Sequence, residues 1–193
     1  MSQFEYVMVL LSIVLGLGIT HLLGGVGALL YRTSVQGAPV RLYSGHLLWV
    51  AYVFFYLIGF WWWEFSWAGT ETWGLLLYVF LVLYATSLFL LCVVLFPRRA
   101  DDVTDFGSYF LAVRKPFYAL LLIVTGIDVG EAFLKGPEYM GRLGTMYWSL
   151  TFTLVVIAMI GMARSGRRLH VGLAAVALGF ELVQLFATYP LLG

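Results

Sequence analysis

The chain has 193 residues, of which 62% are hydrophobic and 11% charged, with a formal net charge of +1. Soluble domains are typically about 45–50% apolar and about 25% charged, so no water-soluble fold of this length could hide so much apolar surface. The balanced charge gives no reason to expect a nucleic-acid partner. The pattern predicts one domain, an all-α polytopic bundle of six transmembrane helices in a lipid bilayer.

The first apolar run, residues 5–31, is 27 residues long, and a helix needs only about 20 to cross a hydrocarbon core of roughly 30 Å. The tail before it carries no basic residue and the run is too long for a signal h-region, so it is expected to stay in the mature protein. Ser12, Gly16, Thr20, Gly24 and Ala28 recur every fourth residue. Such a ridge of small side chains lets another backbone approach closely, which predicts that this face lies inside a bundle. His21 sits beside the ridge. An ionisable group at membrane depth is costly and points either to a hydrogen-bonded packing role or to a pathway or relay.

Residues 43–64 form the second predicted span, with a run of aromatics that includes Trp61, Trp62, Trp63 and, just beyond, Trp67. Tryptophan favours the membrane interface, where its ring is apolar and its N–H stays wet, so the cluster is expected to mark the outer boundary. Glu64 is expected to be hydrated there. The third span, 72–96, holds the lone Cys92 as a small packing residue. Between it and the fourth span, 115–134, the segment 105–114 has apolar residues at helical spacing and a basic end, which predicts an amphipathic helix lying along the inner surface. Pro116 would then sit early in the fourth span.

Residues Ser12 through Leu23 (SIVLGLGITHLL), together with Asp105-Phe106, Tyr109-Phe110 and Arg114, resemble those of a widespread group of small bacterial multi-pass membrane proteins. The resemblance implies a bacterial cytoplasmic membrane and carries no activity with it.

Within the fourth span Thr125, Asp128, Glu131 and Lys135 follow three- and four-residue steps. They share one face, and Glu131 is expected to pair with Lys135 across one turn. The fifth span, 143–163, carries Ser149, Thr151 and Thr153, expected to hydrogen-bond within or between helices. The sixth, 169–189, has a stripe of polar and small residues through His170, Ala174, Ala177, Glu181, Gln184 and Thr188. His46 and His170 lie near the inner ends of their spans and are expected to snorkel to the interface. Zinc-protease, nucleophile-elbow and phosphate-loop signatures are absent, and no metal or cofactor is expected.

Nine of the eleven basic residues fall in the first, third and fifth loops. Because short cytoplasmic loops are rich in Lys and Arg, both the N-terminus and the C-terminus are expected outside. With span centres near residues 18, 125 and 180 and about 1.5 Å per residue, His21, Asp128 and Glu181 are expected to converge near mid-membrane, with Thr20, Thr125 and Gln184 as hydrogen-bond partners. The leading functional expectation is conduction or transport of protons or cations through this site by a homo-oligomer. The alternatives are a non-catalytic subunit packed on another membrane protein and a cofactor-binding redox or sensor module.

Overall fold

The computed structural model describes residues 2–70, 73–97 and 102–188, with side chains through residue 186. The predicted boundary residues Thr72 and Tyr189, and Arg98, Arg99 and Asp101 of the third loop, lie outside the described residues, as does the side chain of Thr188. Among the described residues six helices are long and apolar enough to cross a membrane: α1 (Gln3–Ser34), α2 (Ser44–Glu64), α3 (Leu75–Leu95), α4 (Phe106–Leu134), α5 (Pro137–Ala163) and α6 (Arg167–Val183). A 3₁₀ turn, Phe65–Gly69, extends α2, and a π turn, Gln184–Thr188, extends α6. The chain is therefore a multi-pass membrane protein.

The principal packing pairs are α1 on α3, α2 on α6, α4 on α5 and α3 on α4. α1 begins with a capping box: Glu5 N–H donates to Ser2 Oγ at 3.2 Å and Ser2 N–H to Glu5 Oε2 at 2.8 Å, satisfying two end donors reciprocally. Its inward face is set by a three–four alternation, Met8, Leu11, Leu15, Gly18, Leu22, Gly25, Leu29 and Arg32. That period of 3.5 keeps one seam against a partner helix, and α3 is that partner. A Cβ on Gly18 would lie 3.2 Å from Cys92 Sγ, and one on Gly25 would overlap the Phe96 ring. Cys92 is buried in this seam.

The ridge predicted as the packing face is not the one used. Thr20 and Gly24 are exposed, Ser12, Gly16 and Ala28 only half-buried, and a Cβ on Gly16 or Gly24 would meet nothing within 4 Å. Small residues every fourth position drift around a helix relative to a 3.5-residue seam, and here the seam with its leucines takes the inside.

At the end of the bundle that carries most of the basic residues, the loops are tied together. Arg41 N–H donates to Thr104 O at 2.7 Å and Phe106 N–H to Arg41 O at 3.0 Å, while Arg32 reaches Val103 O at 2.9 Å. Tyr43 O–H donates to Arg167 O. Asp105 caps α4 by accepting from the N–H groups of Gly107 and Ser108, and Arg167 binds it at 2.9 Å. That guanidinium, first, and the capping N–H groups, next, hold the Asp105 carboxyl down to about 2.

Two sequence expectations fail at this end. The segment 105–114 is not a separate surface helix; α4 runs unbroken through it and through Pro116 to Leu134. An internal proline costs about 3 kcal/mol, and burial of Phe106, Phe110, Phe117 and Tyr118 on both sides of it offsets that cost. His46 and His170 do not snorkel either, being both fully buried. His46 Nε2 donates to Leu95 O at 2.6 Å, and Tyr109 O–H donates to Val94 O at 3.1 Å. His170 Nε2 donates to Arg164 O at 3.1 Å, which leaves its Nδ1 to accept from Tyr118 O–H at 2.9 Å. These side chains satisfy carbonyls that the ends of α3 and α5 leave without partners.

Candidate functional site

Polar chemistry collects at the opposite end and middle of the bundle, where α2, α4, α5 and α6 meet. The 3₁₀ turn after α2 folds back so that Trp67 Nε1 donates to Glu131 Oε1 at 2.7 Å. Lys135 Nζ stands 2.9 Å from the same oxygen, both side chains buried. It also donates to Trp63 O at 3.2 Å and lies over the rings of Trp67 and Tyr139, 5.5 and 4.8 Å from their centroids. The expected pairing of Glu131 with Lys135 is present, but sealed from solvent. Glu64, expected to be hydrated, is 1% exposed and faces Glu131. Neither of its oxygens meets a donor among the described residues. Lys135 is paired with Glu131, so the Glu64 carboxyl has no basic partner among the described residues, and its charge would have to be met by a proton or another cation.

One turn deeper, Asp128 accepts from two tyrosines, Tyr84 at 3.1 Å on Oδ1 and Tyr147 at 2.7 Å on Oδ2. Tyr56 lies 2.8 Å from the Tyr84 hydroxyl. Because Tyr84 gives its only hydrogen to Asp128, Tyr56 must be the donor in that pair. Glu181 of α6 is fully buried, neither of its oxygens meets a partner among the described residues, and Asp128 is its charged neighbour. Gln184 is 3% exposed, and its Oε1 meets no donor among the described residues.

These groups surround a cavity of about 30 Å³, lined among others by Tyr56, Thr125, Asp128, Glu131, Tyr147, Thr151 and Gln184. Room for one water takes about 10–15 Å³ on this measure, so two water-sized particles fit. Among the described residues no three His, Cys, Asp or Glu side chains are grouped as ligands for a metal ion.

Of the residues predicted to converge, Thr125, Asp128 and Gln184 line this one cavity, together with Glu131; Glu181, buried in α6, does not line it but has Asp128 as its charged neighbour. His21 and Thr20 do not. The His21 ring is 6.4 Å from that of Phe96, beyond the end of α3, and Gly18 of the same helix packs on Cys92. Cys92 is eight residues past Tyr84 along α3, so His21 sits at least about 12 Å from the level of Asp128. The expectation placed each span's centre at one depth; that assumption fails because the helices are staggered to satisfy side-chain packing, not centred.

The tyrosines were the residues that sequence reasoning missed. Tyr52 and Tyr56, one turn apart on α2, lie too far from either end of the span for an interfacial belt, and a buried hydroxyl calls for a partner. That was the available signal. No known protein family matches this chain, and neither does any curated protein or solved structure.

Proposed function

We propose that this chain moves protons or small cations across a bacterial cytoplasmic membrane, with the basic end of the bundle in the cytoplasm and both termini outside. The observation that carries this reading is Glu181, fully buried and without a donor among the described residues, with a charged neighbour, Asp128, that tyrosine hydroxyls hold. A carboxylate buried without a basic partner is costly, and such groups within membrane spans mark proton and ion pathways. Tyrosine hydroxyls joined in a chain and a cavity with space for water supply the links along which a proton steps. Glu64, Glu131 and Lys135 form the connection toward the outer end.

Proteoliposomes holding the purified protein test the reading. A pH or cation gradient should discharge faster than in empty liposomes. Glu181→Gln and Asp128→Asn should each slow that discharge at least tenfold while the protein keeps its elution profile. Discharge no faster than in empty liposomes would overturn it. A periplasm-active reporter fused at the C-terminus tests the orientation: activity is expected, and a signal restricted to the cytoplasm would reverse it.

A second reading is favoured by the outward ridge of α1. Ser12, Gly16, Thr20, Gly24 and Ala28 present a shallow face with no intrachain partner for its glycines, and small residues are what transmembrane helix contacts use. On that reading the chain is a packing subunit, either of a homo-oligomer or of a larger membrane assembly. Co-purification of a stoichiometric partner, with no flux, would support it over transport.

A further inference from the structure

The cavity beside Asp128 has an unusual hydrogen inventory. Thr125 Oγ1 gives its single hydrogen to Leu121 O at 2.8 Å, one turn back along α4. Thr151 Oγ1 does the same to Tyr147 O at 3.0 Å in α5. Tyr147 and Tyr84 give theirs to Asp128, and Tyr56 gives its own to Tyr84. Each of these hydroxyls therefore turns lone pairs, not hydrogen, toward the space between them. The carboxylates of Asp128 and Glu131 only accept when ionised. Gln184, 97% buried, adds an Oε1 that no donor reaches. The lining also carries the Trp63 N–H, the Tyr139 hydroxyl and the amide hydrogens of Gln184; water could donate to the acceptors, but it brings no charge to balance Asp128, whereas a cation does both.

We infer that this cavity is a binding site for a small monovalent metal cation of about sodium size, held by Asp128, Gln184 Oε1, and the hydroxyls of Thr125 and Thr151. Charge selects the valence. Of the two carboxyls that line the cavity, Glu131 is paired with Lys135, which leaves Asp128 without a basic partner among the described residues. Calcium takes six to eight oxygens, commonly with several carboxylates, and magnesium keeps a shell of waters in octahedral geometry. Neither fits about 30 Å³ and a single free carboxylate. Hard neutral oxygens with one carboxylate suit an alkali cation and one water. The inference deepens the transport reading and rests on it only for the ion's role; occupancy is a separate fact.

The test is thermal unfolding of the detergent-solubilised full chain in sodium, lithium, potassium or N-methylglucamine chloride at one ionic strength and pH. Sodium should raise the unfolding midpoint by several degrees in a saturable way, with potassium weaker. Asp128→Asn should abolish the sodium effect. Thr151→Val, which keeps side-chain shape, should shift the half-saturating sodium concentration upward at least tenfold and covers the case in which Asp128→Asn fails to fold. An equal midpoint in sodium and N-methylglucamine for the folded wild type overturns the site, as does a midpoint that responds to pH alone, which would assign the cavity to hydrated protons. Sodium stabilisation without flux keeps the site and removes the transport reading; proton flux without sodium stabilisation does the reverse.

Discussion

Gly25→Ala asks whether α1 docks through its 3.5-residue seam or through its outward ridge. The added methyl would sit about 2.6 Å from ring carbons of Phe96, whereas carbon atoms rest about 3.5–4.0 Å apart. The ring or the helix must move by roughly 1 Å. The ring has little room, with His46 5.0 Å from it and Phe106 and His21 both 6.4 Å, centroid to centroid. Overpacking of this kind costs about 1–3 kcal/mol. Gly16→Ala adds its methyl to open space and gains up to about 1 kcal/mol in helix propensity. The two variants should therefore differ by about 1–4 kcal/mol. Unfolding of the purified protein by sodium dodecyl sulfate in mixed micelles, followed by tryptophan fluorescence, measures that gap. Gly25→Ala matching Gly16→Ala in stability, or Gly16→Ala being the less stable, would refute the seam.

Lys135→Met should destabilise the chain by about 3–5 kcal/mol, because it strands the Glu131 carboxylate in a buried site. Adding Glu131→Gln to that variant should recover most of the loss, and a double variant no better than Lys135→Met would show that the pair is not coupled. At the basic end, the Asp105 carboxyl is held down to about 2 by Arg167 and the α4 cap. Its contribution to stability is complete above the ordinary carboxylate value near 3.8 and disappears as pH falls through about 2. Asp105→Asn keeps a capping side chain but should flatten the loss of stability between pH 4 and pH 2, read by circular dichroism in detergent; an unchanged acid profile would remove the ion pair from the account.

Six spans were legible because length and continuity of apolar sequence are what a bilayer demands. Which face of each helix points inward was less so. Lipid is as apolar as a leucine core, so α1 offered two candidate seams and hydrophobicity could not rank them; the three–four alternation from Met8 to Arg32 was present in the sequence and is the pattern that packs. On α4 the choice was easier, since Thr125, Asp128, Glu131 and Lys135 avoid lipid together. Glu64 was expected to be hydrated, but the backbone after it turns back, and a 3₁₀ turn that tucks Trp67 under Glu131 leaves no periodic trace. The stagger that separates His21 from Asp128 is a property of helix pairs, and no single span encodes it.

The cavity draws on residues far apart in the order of synthesis. Asp128 and Glu131 are made 56 and 53 residues before Gln184, which at about 5–20 residues per second is a wait of about 3–11 s before α6 can close the site. Glu131 has its counter-ion four residues on in the same helix. Asp128 has Tyr84 already in place and gains Tyr147 only 19 residues later. The acid that α6 itself brings, Glu181, is made after the other acids of this group, so it enters the bundle when Asp128, both of its tyrosines and the Glu131–Lys135 pair are already in place. A chain cut short before α6 would leave these acids facing a gap, and the quality-control proteases of a membrane have in such a gap a polar defect to recognise.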